Sequence, residues 1–157
     1  MTAPEPRLVI RPATMEDVPA LAALATHLGY PTNEAAMRER MRSIIADANY
    51  ETLVAEMDGR VIGYAGMTWK WSWVEDERRG ELLSLVIDPE VRSRGAGAAL
   101  MAASEEWMRA RGAGSVHLTT ALHRQGAHRF YERIGYARTG HRYVKKFAAG
   151  QEPRMGA

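Results

Sequence analysis

Residues 82–100 read LLSLVIDPEVRSRGAGAAL, and the order of features inside them decides the fold. An apolar, β-branched strand runs through Val86 and Ile87 to Asp88, where Pro89 stops it. A loop carrying Arg92, Arg94, Gly95 and Gly97 follows and opens an amphipathic helix. Leu100, Ala103, Ser104, Trp107 and Met108 give that helix one core-facing stripe. The first N–H groups of a helix lack internal partners, and the helix dipole adds positive character there. Together they favour an anion. Gly95 and Gly97 remove Cβ atoms from the approach to the backbone, and the two arginines supply charged donors. The segment therefore predicts a pyrophosphate site. It is not a Walker A loop, because the Gly-Lys-Ser/Thr ending is missing. It is not a dinucleotide fingerprint, because Leu100 stands where a third glycine belongs and no early β-α-β unit surrounds it.

Working outward, Arg7 to Ile10 reads as a short strand stopped by Pro12. Thr14 precedes Met15, Glu16 and Asp17 as a helix start. Val18, Leu21, Ala22, Ala25 and Leu28 recur at helical spacing up to Gly29 and Pro31. A second helix is expected from Asn33 to Ala46. Asp58-Gly59 between Glu51–Met57 and Arg60–Trp73 signals a hairpin. The spacing then predicts strands over Gly80–Asp88 and Ser115–Ala121, helices ending near Arg111 and spanning Gln125–Ile134, and two short strands within Tyr136–Phe147 that turn near Thr139-Gly140. This order describes a mixed α/β domain. The 157 residues suit a single domain, 1–157, with a core over about 7–147 and loose tails at 1–6 and 148–157. With 46% hydrophobic and 25% charged residues, the composition is that of a soluble globular chain. The absence of cysteine excludes disulfides, thiolate metal sites and a cysteine nucleophile. No signal peptide or membrane-length apolar run is visible, so a cytoplasmic location is expected. A net charge of +2 is too balanced to point to nucleic acid.

A second motif stands downstream, AHRFYERIGY over residues 127–136. Arg92-x-x-Gly95-x-Gly97 resembles the pyrophosphate motif of the GNAT N-acetyltransferase superfamily, and residues 127–136 resemble that family's later helix, Ala-x-x-Phe-Tyr-x-x-x-Gly-Phe. The resemblance spans roughly Leu8 to Phe147. It implies a central, mostly antiparallel sheet with one splayed parallel strand pair and about four flanking helices. It implies acetyl-CoA as co-substrate, with no metal, and a primary amine of a small molecule or peptide as acceptor. In such a fold Leu85, Val86 and Ile87 pair with the pantetheine arm, and Ser93, Arg94, Gly95, Ala96, Gly97 and Ala98, with Arg92, hold the pyrophosphate. The backbone N–H of Val86 is the expected oxyanion donor. Tyr131 matches the tyrosine that protonates the departing thiolate, although Ala127, Phe130, Tyr131 and Ile134 also form a core stripe. Relatives commonly form homodimers.

The base is less evident from the residues. The acidic position of many relatives falls near Leu83 or Ser84, neither acidic. Glu81, two residues earlier on the same strand face, acts through a water or is simply an exposed strand-start glutamate. Arg124 replaces a common asparagine and either approaches the cofactor or faces water. On the acceptor side, Trp69, Trp71 and Trp73 share a face by period two. They form core or an interface, or, with Tyr30, wall an acceptor pocket. Glu75, Asp76 and Glu77 follow as a solvated acidic run. His117, His123 and His128 lack the spacing of a helical zinc site and read as surface or packing residues. No Gly-x-Ser-x-Gly elbow is present, which favours direct transfer over an acyl-enzyme. The rival readings are a non-catalytic acyl-CoA sensor and a protein lysine or N-terminal acetyltransferase.

Overall fold

The structure is a computed structural model that describes residues 2–92 and 95–148. The chain divides into two compact units, Met1–Thr119 and Thr120–Ala157.

The first unit carries a five-stranded sheet in simple order, β1 (Leu8–Pro12), β2 (Tyr50–Met57), β3 (Arg60–Lys70), β4 (Arg78–Ile87) and β5 (Ala113–Leu118). The first three pairings are antiparallel and the last is parallel. The expected mixed sheet with one parallel pair is therefore present. Asp58 and Gly59 both adopt positive φ, 51° and 83°, and close the β2–β3 hairpin. That turn matches the right-handed strand twist, which is why the dipeptide is informative.

On one face of the sheet lie α1 (Val18–His27) and α2 (Glu34–Ala46). A one-turn 3-10 helix, Met15–Asp17, leads into α1. The Asp17 carboxylate there accepts from the Thr14 N–H at 2.8 Å and from both Arg11 terminal nitrogens at 2.8 and 2.9 Å. Gly29 ends α1 with φ 102°, and Tyr30 N–H returns to Ala25 O while Gly29 N–H returns to Thr26 O. This is the Schellman arrangement that glycine at this position permits. Asn33 caps α2 by accepting from Ala36 N–H. Val18, Leu21, Ala22, Ala25, Met37, Met41 and Val54 pack together as the core of this side.

The opposite face is covered by α3 (Ala96–Ala110), which buries Ala96, Leu100, Met101, Ser104 and Met108. Ser104 satisfies its hydroxyl on Leu100 O at 2.7 Å, so this polar residue sits in the core without an orphaned group. A Cβ on Gly80 would meet Met108, and one on Gly63 would meet Leu100, which marks where α3 presses on the strands.

The second unit contains α4 (Gln125–Arg133). Gly135, φ 100°, ends it with the same Schellman pattern, Tyr136 N–H to Tyr131 O and Gly135 N–H to Glu132 O. The two strands expected within Tyr136–Phe147 are absent, and residues 136–148 adopt no regular secondary structure. Alternating apolar residues define a strand face, but a strand also needs a ladder partner for its backbone groups. Among the described residues no strand pairs with this segment, and Tyr143 and Phe147 stay largely exposed. β3 likewise ends at Lys70 rather than Trp73, because its last rung is Lys70 opposite Arg79.

Candidate active site

β4 and β5 pair in parallel from Arg78 opposite Ala113 to Leu82 opposite Leu118, and the rungs then stop. β4 continues alone to Ile87, still paired with β3 on its other side. Asp88 N–H bonds Ile62 O on β3 at 2.7 Å. Backbone groups of a strand alternate in direction, so those of Val86 face β3 with those of Asp88, whereas those of Leu85 and Ile87 face away from it. Leu85 and Ile87 thus present an open ladder edge beyond the point where β5 ends.

The strand then leads into the anion loop. Asp88 anchors the turn by accepting from Glu90 N–H at 3.0 Å and from Arg60. Pro89–Val91 forms one 3-10 turn, and Arg92 is exposed at its end. Ser93 and Arg94, both expected to hold phosphate, lie outside the described residues. Gly95 precedes α3 in the left-handed region, φ 80°, and no atom of the described residues lies within 4 Å of where its Cβ would be. No acidic residue occupies the first turn of α3. Ala96, Gly97 and Ala98 carry the first N–H groups of α3, which lack intrahelical partners, and no acidic residue of that turn opposes an anion there.

A cavity of about 190 Å³ lies between α1, α2 and strands β2 to β4. Leu21, Met37, Met41, Ile44, Met67 and Leu83 give it apolar walls. Arg40, Glu51, Thr52, Tyr64 and Ser84 add polar groups. Ser84 Oγ donates to Tyr64 Oη at 3.2 Å inside it. The cavity reaches β4 through an irregularity, because Gly66 and Met67 oppose Ser84 and Leu82 and leave Leu83 as the extra residue. Such a bulge re-aims the side chains beside it.

The remaining expected site residues are distributed as follows. Glu81 projects from β4 and forms an ion pair with Lys70. Tyr131 is buried on α4, edge-on to the rings of Phe130 and Tyr136 at 5.3 and 5.9 Å. Burial raises its phenol above the ordinary tyrosine value, and nearby Arg124 pulls the other way. Arg124 stands at the start of α4. Tyr30 is exposed in the turn between α1 and α2. Trp69 and Trp71 clamp the Arg78 guanidinium, 3.7 and 4.1 Å from their ring centres. Trp71 and Trp73 are not core, at 65% and 99% exposed. None of Tyr30, Trp69 and Trp71 lines the cavity. The sequence reading missed Arg40, Glu51, Tyr64 and Ser84, whose convergence depends on helix placement. No group of three or more metal-ligating side chains occurs among the described residues.

A family model described as Acetyltransferase (GNAT) family matches residues 18–136. The aminoalkylphosphonate N-acetyltransferase of Salmonella typhimurium is 31% identical over 137 residues, covering 87% of this chain and 89% of that protein. A GNAT family acetyltransferase from Staphylococcus aureus superposes with a TM-score of 0.77 at 25% identity, over 89% of this chain and 98% of the other. The aminoglycoside N-acetyltransferase AAC(6')-Iy, solved in complex with CoA, superposes with a TM-score of 0.84 over 94% and 99% of the two chains, at 17% identity.

Proposed function

Because the chain belongs to the GNAT acetyltransferase family and is therefore an acyltransferase, we propose that it transfers the acetyl group of acetyl-CoA directly to the primary amine of a small molecule seated in the cavity between α1, α2 and β4. The observation that carries this reading is that β4 carries, within one unit, both an edge left unpaired beyond β5 and the floor of a partly open, mainly apolar cavity, and leads on to the N-terminus of α3. The relative that acts on aminoalkylphosphonates supports an acceptor of the same kind. A cavity of about 190 Å³ is small beside the roughly 300–1,000 Å³ that holds drug-sized ligands, which favours a compact amine over a peptide. Arg40 at its wall supplies a cation for an acidic group on that amine.

When bound, acetyl-CoA supplies the activated acyl carbon. The backbone of Leu85 and Ile87 receives the pantetheine amides as a neighbouring strand would. Leu85 rather than Val86 donates its N–H to the acyl oxygen, since the Val86 N–H is directed at β3. Arg92, Ser93, Arg94 and the N–H groups from Gly95 to Ala98 bind the pyrophosphate. Glu81 accepts the amine's proton through a water, a task set by the roughly 10 pKa of a free alkylamine. On the motif it carries, Tyr131 returns a proton to the leaving thiolate, and Arg124 contributes charge toward the cofactor. Tyr30 is assigned to the outer rim of the acceptor path; Trp69, opposite Gly80, shares the sheet face that α3 covers, and Trp69 and Trp71 are left as the clamp on Arg78. A homodimer is the expected assembly in this scheme and the cytoplasm the expected location.

Thiol release from acetyl-CoA with a panel of amines tests the proposal. Turnover highest for short amines bearing a phosphonate or carboxylate is expected. Acetylation of peptides alone would favour a protein-modifying enzyme, and coenzyme A binding without thiol release from any amine would favour a sensor. Calorimetry with a Gly95→Asp, Gly97→Asp variant tests the anion loop, and unchanged coenzyme A affinity would remove it from the site.

A further inference from the structure

A cluster of titratable groups sits at the last rungs of the β4–β5 pair. Glu81 pairs in register with His117, and Arg79 with Ser115, immediately before the two strands cease to pair. Residues opposite one another across a pair share a sheet face, so Arg79, Glu81, Ser115 and His117 project together. His117 Nε2 lies 3.0 Å from Ser115 Oγ. One oxygen of the Glu81 carboxylate is taken by Lys70, and Arg79 holds Glu75 at 3.2 Å. The charged groups that face His117 are thus Arg79 and Glu81 of β4, Lys70 of β3 and Glu75 of the loop joining them. This half-buried imidazole belongs neither to the apolar core around Val18 nor to the cavity lining.

We propose that His117 is a positioning and relay residue for the acetyl transfer, taking on from Glu81 the proton that the acceptor amine loses. The proposal rests on the acetyl-transfer reading and on Glu81 as its base. As the amine nitrogen bonds to the acyl carbon and the carbon–sulfur bond breaks, the N–H proton passes through water to the Glu81 carboxylate, then to the imidazole, then to solvent. The thiolate takes a separate proton from Tyr131, and the tyrosinate recovers one from solvent in place of the proton that the imidazole released there, so charge and protons balance over the cycle. Glu81 lies four residues before Leu85, on the order of 13 Å of extended strand, shortened by the bulge at Leu83. A water link between the pair and the reacting nitrogen is therefore required.

Three features favour His117 for this task. An imidazole is a stronger base than a carboxylate and gains and loses protons near neutral pH. Ser115 fixes its ring, and in the tautomer that donates Nε2–H to Ser115 Oγ, Nδ1 keeps the lone pair that receives a proton. Burial, then Arg79, lower its pKa from the ordinary 6.5, while Glu75 and Glu81 oppose that shift. The ring is therefore neutral, and able to accept, at neutral pH.

The experiment pairs a pH profile of kcat/KM with an NMR titration of His117 in the full-length protein. His117→Gln should lower kcat/KM tenfold or more at neutral pH and flatten its acidic limb, leaving coenzyme A affinity unchanged. Added imidazole should restore part of the rate to His117→Ala. Ser115→Ala should shift the limb without abolishing it. In the titration, Glu81→Gln should move the His117 midpoint down and Lys70→Met should move it up, each by about half a pH unit or more. A wild-type profile in His117→Gln, or a His117 titration indifferent to both neighbours, would overturn the relay. Should the wild-type protein release no thiol with any amine, acetyl transfer fails and the relay with it. An NMR coupling between His117 and Glu81 would then show that only the pairing of the two residues stands.

Discussion

Gly63 and Gly66 are three residues apart on β3, and the structure assigns them opposite sensitivities. A Cβ on Gly63 would lie 2.6 Å from Ile87 Cδ1 and 2.9 Å from the Val86 carbonyl oxygen. The first contact is relieved by rotating a flexible side chain. The second is with backbone, and it must yield by about 0.5 Å to reach ordinary separation, which displaces β4 next to its open edge. Forcing a methyl into such a site costs about 1–3 kcal/mol. For a chain of this size that lowers Tm by about 2–12 °C. A Cβ on Gly66 would meet only Ser84 Cβ, at 3.8 Å. Gly66→Ala should therefore be neutral or stabilise by up to about 1 kcal/mol. Thermal unfolding of the two variants gives the comparison, and coenzyme A titration gives the consequence. Gly63→Ala should weaken coenzyme A binding through Leu85 and Ile87. Gly66→Ala should spare it and instead raise the KM of the acceptor, because Gly66 lines the cavity. Adding Ile87→Val to Gly63→Ala should recover only the side-chain share of the loss. A Gly63→Ala protein with wild-type Tm and coenzyme A affinity would refute the reasoning.

Tyr131→Phe should reduce turnover well over tenfold with little change in coenzyme A affinity, measured by steady-state kinetics and calorimetry. Because burial raises the Tyr131 phenol, the alkaline loss of activity it governs should lie above the ordinary tyrosine range near 10. Arg40→Met should raise KM about tenfold or more for amines bearing a phosphonate or carboxylate and leave uncharged amines nearly unaffected. Asp17 has its carboxyl held below the ordinary 3.8, first by the Arg11 hydrogen bonds. A depressed folded-state value stabilises the fold above the unfolded value, and this contribution is lost as pH falls through the folded one. Asp17→Asn should therefore flatten the acid dependence of stability below about pH 4 in urea unfolding. Arg11→Met should cost about 1–3 kcal/mol at neutral pH by leaving that carboxylate unpaired.

Much of this molecule is local and so was legible in the chain. The Asp58-Gly59 turn, the glycine stops at Gly29 and Gly135, the Asn33 cap, the end of β4 before Pro89 and the left-handed Gly95 depend on the φ preferences and hydrogen-bonding groups of a few adjacent residues. Those preferences travel with the sequence. The resemblance of residues 92–97 and 127–136 to family motifs is local in the same sense. What tertiary structure decided is which residues meet. The bulge at Leu83 and the direction of the Val86 N–H follow from the register between β3 and β4, which no residue encodes by itself. His117 looked like a packing residue until parallel pairing set it opposite Glu81. Arg40 and Tyr64 share a cavity only because α2 packs over β2, beside β3. The strands expected after Tyr136 show the reverse: apolar alternation supplied a face, and pairing requires a second strand that periodicity cannot supply.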